Sequence, residues 1–231
     1  MDIWFRELGF WNNPFSIKPG AFDNEIYGYD IDLILSKIEN GEVLFIEGGY
    51  GRGKTSILKR IIERFGGEKK LIYYSCNRTE SSIDVDSLIK GRTFWTKLFG
   101  MMDDNLILLL DEVQDLGDTD ARIIKDYFGN HFKSIIFVSS DIKAIKVDGI
   151  KDLVGDNIIK LGRLDDNIAI DIVRKRIGSL DIISNDMIKE LFKMSEYNPR
   201  TLLQNCEAVC KVAVKKGDLK VTKEHIKEVF G

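Results

Sequence analysis

Up to about residue 161 the apolar positions fall into short unbroken runs separated by amphipathic stretches. Glu42-Val-Leu-Phe-Ile-Glu47, bounded by Gly41 and Gly48, reads as a buried strand. Leu71-Ile-Tyr-Tyr-Ser75, Leu106-Ile-Leu-Leu-Leu110, Ser134-Ile-Ile-Phe-Val138 and Asn157-Ile-Ile-Lys-Leu161 read as four more strands. The run at 106–110 has no polar alternation, the mark of a strand covered on both faces in a parallel sheet. Between the strands the spacing turns helical. Asp30 opens a helix carrying Ile31, Ile34, Leu35 and Ile38, and residues 56–65 place Ile57, Leu58, Ile61, Ile62 and Phe65 on one side. Leu88 to Met102 reads as a helix interrupted near Gly91. Asp118 or Thr119 caps another through Phe128, with Ile123, Ile124, Tyr127 and Phe128 inward. Strands alternating with helices predict a three-layer α/β domain with right-handed crossovers.

After Leu164 no strand pattern remains. Helices are expected from Asp165 or Asp166 to Gly178, from Ser184 or Asn185, from Asn198-Pro199 to Gly217, and from Thr222 onward. The expected domains are therefore an α/β core over 1–163 and a small all-α domain over 164–231. Residues 1–28, aromatic-rich and irregular, are expected as an N-terminal linker to the core.

Composition narrows the class. The chain has 231 residues, 44% of them hydrophobic, enough for one large domain with a small appendage. No apolar run approaches the roughly 20 residues of a membrane span, and no signal peptide is visible, so a cytoplasmic location is expected. Three cysteines do not make a disulfide framework. Cys206 and Cys210 share one helix face but lack neighbouring ligands, which points to core packing rather than metal. The net charge of −3 gives no overall basic footprint for nucleic acid, although a local patch would suffice.

The chemistry sits between the first strand and its helix. Gly48-Gly49-Tyr50-Gly51-Arg52-Gly53-Lys54-Thr55 is a full G-x-x-x-x-G-K-T phosphate loop, and with Ser56 it makes the nucleotide-binding segment. Its glycines let backbone N–H groups turn toward phosphate oxygens at a helix N-terminus. Lys54 would reach the β- and γ-phosphates, and Thr55 would offer a hydroxyl to Mg²⁺. The strand at 106–110 delivers Asp111 and Glu112 at its C-terminal end, where open parallel sheets bind ligands. Asp111 is expected to hold Mg²⁺, and Glu112 to polarise the attacking water. Ser139 and Ser140 end the neighbouring strand. A polar residue there, Ser140 in particular, could orient that water. Pro199 fixes a helix start, so Arg200 leaves the first turn in a defined direction and could contact a γ-phosphate.

These pieces, in this order, resemble an AAA+ ATPase: Walker A at 48–55, Walker B at 107–112, sensor 1 at 139–140 and sensor 2 at 198–200. The chain is most similar to the branch that holds archaeal origin-recognition, secretion-type and transposition-regulator ATPases. The features are Leu8-Gly-Phe-Trp-Asn-Asn-Pro14-Phe15, Ile26-Tyr27-Gly28, Asp111-Glu-Val-Gln-Asp-Leu116 and Asn198-Pro-Arg-Thr-Leu-Leu203. The resemblance implies a five-stranded sheet of order 5-1-4-3-2 with a helical lid, and adenine held by Ile26, Tyr27 and the lid. It implies ATP hydrolysis with Mg²⁺, slow without a partner, and a nucleotide state coupled to assembly into a homo-oligomer. The first function class this opens is an ATPase whose ATP state governs binding to DNA or to a DNA-bound protein.

The sequence departs from that pattern in several places. The winged-helix domain of the origin-recognition proteins is expected to be missing. Relatives often carry an asparagine near Ser75 that restrains the catalytic glutamate, and Asn77 is the available substitute here. No arginine lies between Ser140 and Leu161, where such families place a trans-acting finger. The nearby cations are Arg122, Lys143, Lys146, Lys151 and Arg163. For DNA, the candidate surface is Lys90-Gly-Arg92-Thr-Phe-Trp95-Thr-Lys97, basic with interleaved aromatics. Two other classes remain open: a nucleotide-dependent protein adaptor that binds no nucleic acid, and a phosphotransferase. The phosphotransferase would need an arginine-rich lid, where this chain offers one placed arginine.

Overall fold

A computed structural model describes residues 3–18, 26–66, 70–77, 105–145 and 148–231. The expected helix at 88–102, the basic–aromatic stretch at 90–97 and Lys146 lie outside the described residues. The chain forms two compact units, one of Tyr29–Leu161 and one of Met1–Gly28 with Gly162–Gly231.

The first unit is an α/β sandwich. Its strands are β1 (Val43–Glu47), β2 (Leu71–Ser75), β3 (Leu106–Asp111), β4 (Phe132–Ser139) and β5 (Ile158–Lys160). They form one parallel sheet of order β2-β3-β4-β1-β5, the order implied by the resemblance. Helices α1 (Ile31–Glu39), α2 (Lys54–Phe65), α3 (Asp118–Tyr127) and α4 (Asp148–Val154) accompany it. β1, β3 and β4 are buried nearly throughout, which is why their sequences are unbroken apolar runs. One core cluster joins Phe45, Leu108, Leu110, Phe132, Ile135 and Phe137 to Ala121 and Ile124 of α3 and Ile150 and Val154 of α4. Asp30 caps α1 by accepting from the Leu33 N–H at 2.9 Å. In α3 only Ile124 of the four expected inward residues is fully buried, while Ile123, Tyr127 and Phe128 pack against the cluster half-exposed.

The second unit is helical: α5 (Asp166–Ile177), α6 (Asn185–Met194), α7 (Pro199–Lys216) and α8 (Lys223–Phe230). Each expected start is present, and side-chain oxygens of Asp165, Ser184 and Asn198 cap α5, α6 and α7. Cys206 and Cys210 are buried on the inner face of α7, and burial holds both thiols well above their ordinary pKa. By contacts, the described residues 3–18 and 26–28 group with these helices. Trp4 stacks on Phe15, both are buried, and Arg176 of α5 donates to the Ser16 carbonyl at 2.8 Å. The rings needed cover, and the helices of this unit supply it.

Candidate functional site

The parallel register sets the ends of four strands in a row. Ser75 pairs with Asp111, Asp111 with Val138, and Ser139 with Glu47, the residue before the glycine loop. The carboxylates at 111–112 and the loop at 48–55 thus share one edge of the sheet, with β4 between their strands.

The loop is built by close approach and by left-handed backbone. Gly48 donates its N–H to the Ser139 carbonyl at 3.0 Å, and a Cβ on it would stand 2.8 Å from the Leu161 Cβ. Gly53, at φ 91°, is the residue before α2, a conformation that side chains resist. It supplies no side-chain cap, and the first turn of α2 carries no acidic residue. No side chain therefore competes with an anion for the N–H groups of Lys54 and Thr55, which open that turn ahead of the Ser56 N–H bonded to the Gly53 carbonyl at 3.0 Å. Lys54 donates from Nζ to the carbonyl of Gly48 at 2.6 Å, which keeps its ammonium over the loop. Thr55 and Ser56 are exposed in the first turn of α2, Tyr50 is 72% exposed, and Gly49 lies exposed beside it. Arg52 donates its N–H to the Gly49 carbonyl at 3.3 Å, closing the turn that contains Gly51.

Asp111 is half-buried. Its Oδ1 accepts the Glu112 N–H at 2.9 Å, and the Tyr73 hydroxyl lies 3.4 Å from Oδ2. Burial, reinforced by the Glu112 charge, pushes its carboxyl above the ordinary range, and the ammonium of Lys54 pulls the other way. The two groups therefore sense each other across the edge. A carboxylate that burial disfavours is a group that a divalent cation would stabilise, so Asp111 with the exposed Thr55 hydroxyl fits a Mg²⁺ ion.

Glu112 lies in left-handed backbone at φ 55°, ψ 45°, rare for a residue with a side chain and characteristic of sites where function fixes the conformation. Its Oε2 accepts from Gln114 Nε2 at 2.7 Å, and Gln114 Oε1 accepts from the Ser139 hydroxyl at 2.6 Å. Of the two serines ending β4, Ser139 is buried and joins this network, while Ser140 lies exposed just beyond the strand. Asn77 accepts from the Ser75 hydroxyl at 2.9 Å, so the hydrogen bond to Glu112 comes from Gln114 and not from the expected substitute.

Two residues here carried no assignment from sequence. Gln114 stood inside the Asp111–Leu116 stretch, but its pairing depends on the left-handed turn at Glu112. Tyr29 follows the Ile26–Gly28 segment, and its ring approaches within 3.7 Å of where a Cβ on Gly53 would lie. Burial raises the pKa of the Tyr29 phenol, against the pull of Arg52.

Ile26, Tyr27 and Arg200 belong to the helical unit. Ile26 and Tyr27 are half-buried, with the Lys175 ammonium 5.3 Å from the Tyr27 ring centre. Arg200 sits in the first turn of α7, its N–H bonded to Asn198 Oδ1 at 3.0 Å. The two residues before that cap, Glu196 and Tyr197, are both left-handed at φ 51° and 57°, and the Arg163 guanidinium lies 3.0 Å from the Tyr197 ring centre. Arg163 is thus engaged within its own unit, whereas Arg122, Lys143 and Lys151 are exposed on the sheet unit. No group of three or more potential metal-ligating side chains occurs among the described residues, and no described helix is long and apolar enough to cross a membrane.

No protein-family model and no curated protein matches the chain. Solved structures do. Over 94% of its length the chain superposes on a chain of the Drosophila ORC bound to DNA, with a TM-score of 0.70 and 11% identity. Over 94% it also superposes on the Aeropyrum pernix Orc1 protein in complex with DNA, at a TM-score of 0.69 and 13% identity. Over 86% it superposes on the Thermotoga maritima RuvB Holliday junction branch migration motor, at 0.59 and 15%. It spans 63%, 68% and 67% of those chains respectively. The chain has the AAA+ fold and resembles the archaeal origin-recognition branch in its architecture.

Proposed function

We propose that this chain is a Mg²⁺-dependent ATPase whose nucleotide state controls its association with DNA or with a DNA-bound protein. The observation that supports the chemistry is the shared sheet edge, where the Lys54 charge is felt at Asp111 and Glu112 follows directly. The N–H groups of Gly51, Gly53, Lys54 and Thr55, at the uncapped start of α2, would bind the β- and γ-phosphates, with Lys54 neutralising their charge. Thr55 and Asp111 would hold Mg²⁺, which supplies charge neutralisation at the transferred phosphoryl group. Glu112 accepts a proton from the attacking water, and Ser139 or Ser140 helps place that water. Ile26 and Tyr27 are assigned to the adenine by resemblance, and Arg200 to sensing the γ-phosphate.

Calorimetry with MgATP and a phosphate-release assay test the core of this reading. Lys54→Ala should weaken binding about 10- to 100-fold, since charge-assisted hydrogen bonds are worth about 1.5–3 kcal/mol. Glu112→Gln should bind as wild type and turn over about 100-fold more slowly or worse. A folded wild-type protein that ignores MgATP refutes the proposal.

The second reading is an assembly ATPase or adaptor that binds no nucleic acid. The net charge of −3 and the pI near 5.6 favour it. DNA binding measured at two salt concentrations, with and without ATP, separates the two. A steep salt dependence supports DNA, and no binding at low salt leaves the adaptor.

A further inference from the structure

We propose that Gln114 is the positioning residue for the Glu112 carboxylate, holding it in register with the Ser139 hydroxyl. This inference rests on the ATPase reading for its catalytic consequence.

The amide is used at both ends. Nε2 donates to Glu112 Oε2 at 2.7 Å, and Oε1 accepts from Ser139 Oγ at 2.6 Å. Only a side chain with a donor and an acceptor at that reach makes both bonds. Its own placement is firm. Gln114 lies in a short 3-10 helix, Val113–Asp115, which Val113 at 1% exposure and Leu116 at 8% pin into the core. Ser139 is fully buried in β4.

The bridge runs in a defined direction. Glu112 follows β3, and Ser139 ends β4, the strand between β3 and β1. The Ser139 carbonyl accepts the Gly48 N–H at 3.0 Å. The side chain of Glu112 is thus drawn from its own strand end toward the strand that abuts the phosphate loop, on the side where a γ-phosphate would be attacked. A carboxylate that must receive a proton from one particular water needs that orientation before the water arrives. The left-handed backbone at Glu112 is compatible with the same task, because it turns the side chain back over the strand ends. Ser75 and Asn77, bonded to each other, make no such bridge.

The test uses the full chain as wild type, Gln114→Leu, Gln114→Glu, Ser139→Ala and the double variant Q114L/S139A. Leucine keeps the bulk and removes both bonds, and glutamate keeps the acceptor and loses the donor. The kcat of Gln114→Leu should fall about 10- to 100-fold while the Kd for MgATP changes less than about twofold. Gln114→Glu should fall at least as far, and the double variant no further than Gln114→Leu alone. A kcat within about twofold of wild type, or a loss carried by Kd instead of kcat, overturns the assignment.

A second readout does not depend on turnover. The Gln114 side-chain amide pair, identified by its loss in Gln114→Leu, should shift in the ¹⁵N–¹H spectra of both Ser139→Ala and Glu112→Ala. A pair that stays in place in either variant also overturns the assignment. Wild type without ATPase activity but with the responsive amide would sink the ATPase reading and leave the bridge standing.

Discussion

Gly48 is held to glycine by a neighbour, and that gives a sharp prediction. A methyl group at this position would meet Leu161 Cβ at 2.8 Å, Cδ1 at 3.1 Å and Cγ at 3.2 Å. The two backbones cannot simply part. Leu161 donates its N–H to the Glu47 carbonyl at 2.7 Å, and Gly48 donates to the Ser139 carbonyl at 3.0 Å. Overpacking in a core costs about 1–3 kcal/mol, and the double tether puts Gly48→Ala in the upper half. With a denaturant slope of about 2–3 kcal/mol per molar urea, the midpoint should drop by about 1 M. Leu161→Ala alone should cost about 2–3 kcal/mol, the low end for a buried leucine at a sheet margin. It removes two of the three clashing atoms and leaves the Cβ, so rescue in the double variant is partial. The double variant should lose about 1 kcal/mol less than the sum of the single losses. Urea unfolding of the four proteins measures this, and calorimetry adds a second effect. The Gly48 carbonyl accepts from Lys54, so Gly48→Ala should also weaken MgATP binding. A midpoint within about 0.2 M of wild type, or strictly additive losses, would refute the steric argument.

Asn198→Ala should cost about 1 kcal/mol by removing the acceptor of the Arg200 and Thr201 N–H groups, read as a lower thermal midpoint. Asp111→Asn should stabilise the ligand-free protein at neutral pH, because the raised pKa of Asp111 means that its charge opposes folding. That penalty is absent below the unfolded-state pKa near 3.9 and grows as pH rises above it, so the gain over wild type should vanish at about pH 3. The same variant should lose the additional stability conferred by MgATP, and a midpoint equal to or below wild type at pH 7 contradicts the reasoning. Thiol labelling at pH 8 should leave Cys206 and Cys210 unmodified until unfolding, and Cys76, whose pKa burial pushes up to about 12, should react slowly. Rapid labelling of the folded protein at more than one site would show that α7 opens.

The strands were legible because burial on both faces leaves no room for alternation, and Leu106–Leu110 shows it most plainly. The helix starts were legible where a capping side chain precedes them, as at Asp30, Ser184 and Asn198. α4 escaped notice because it is two turns long, contains Gly149, and buries only Ile150 and Val154. The covering of Trp4 and Phe15 could not be read from pattern, because rings announce that they need a partner and not which one. The phosphate loop and the acids at 111–112 were legible as motifs. Gln114 was not, since its two bonds arise from a left-handed residue and a strand register that no local pattern encodes.

The helical unit takes its residues from two segments that the sheet unit separates, and this orders events during synthesis. Trp4 and Phe15 leave the ribosome well before α5, whose Arg176 bonds back to the Ser16 carbonyl beside them. At about 5–20 residues per second, those rings wait on the order of 10–30 s in water. For that interval the nascent aromatic segment is a greasy stretch that chaperones can grip. Deleting it would spare the chain that exposure and would strip the helices of this unit of their cover.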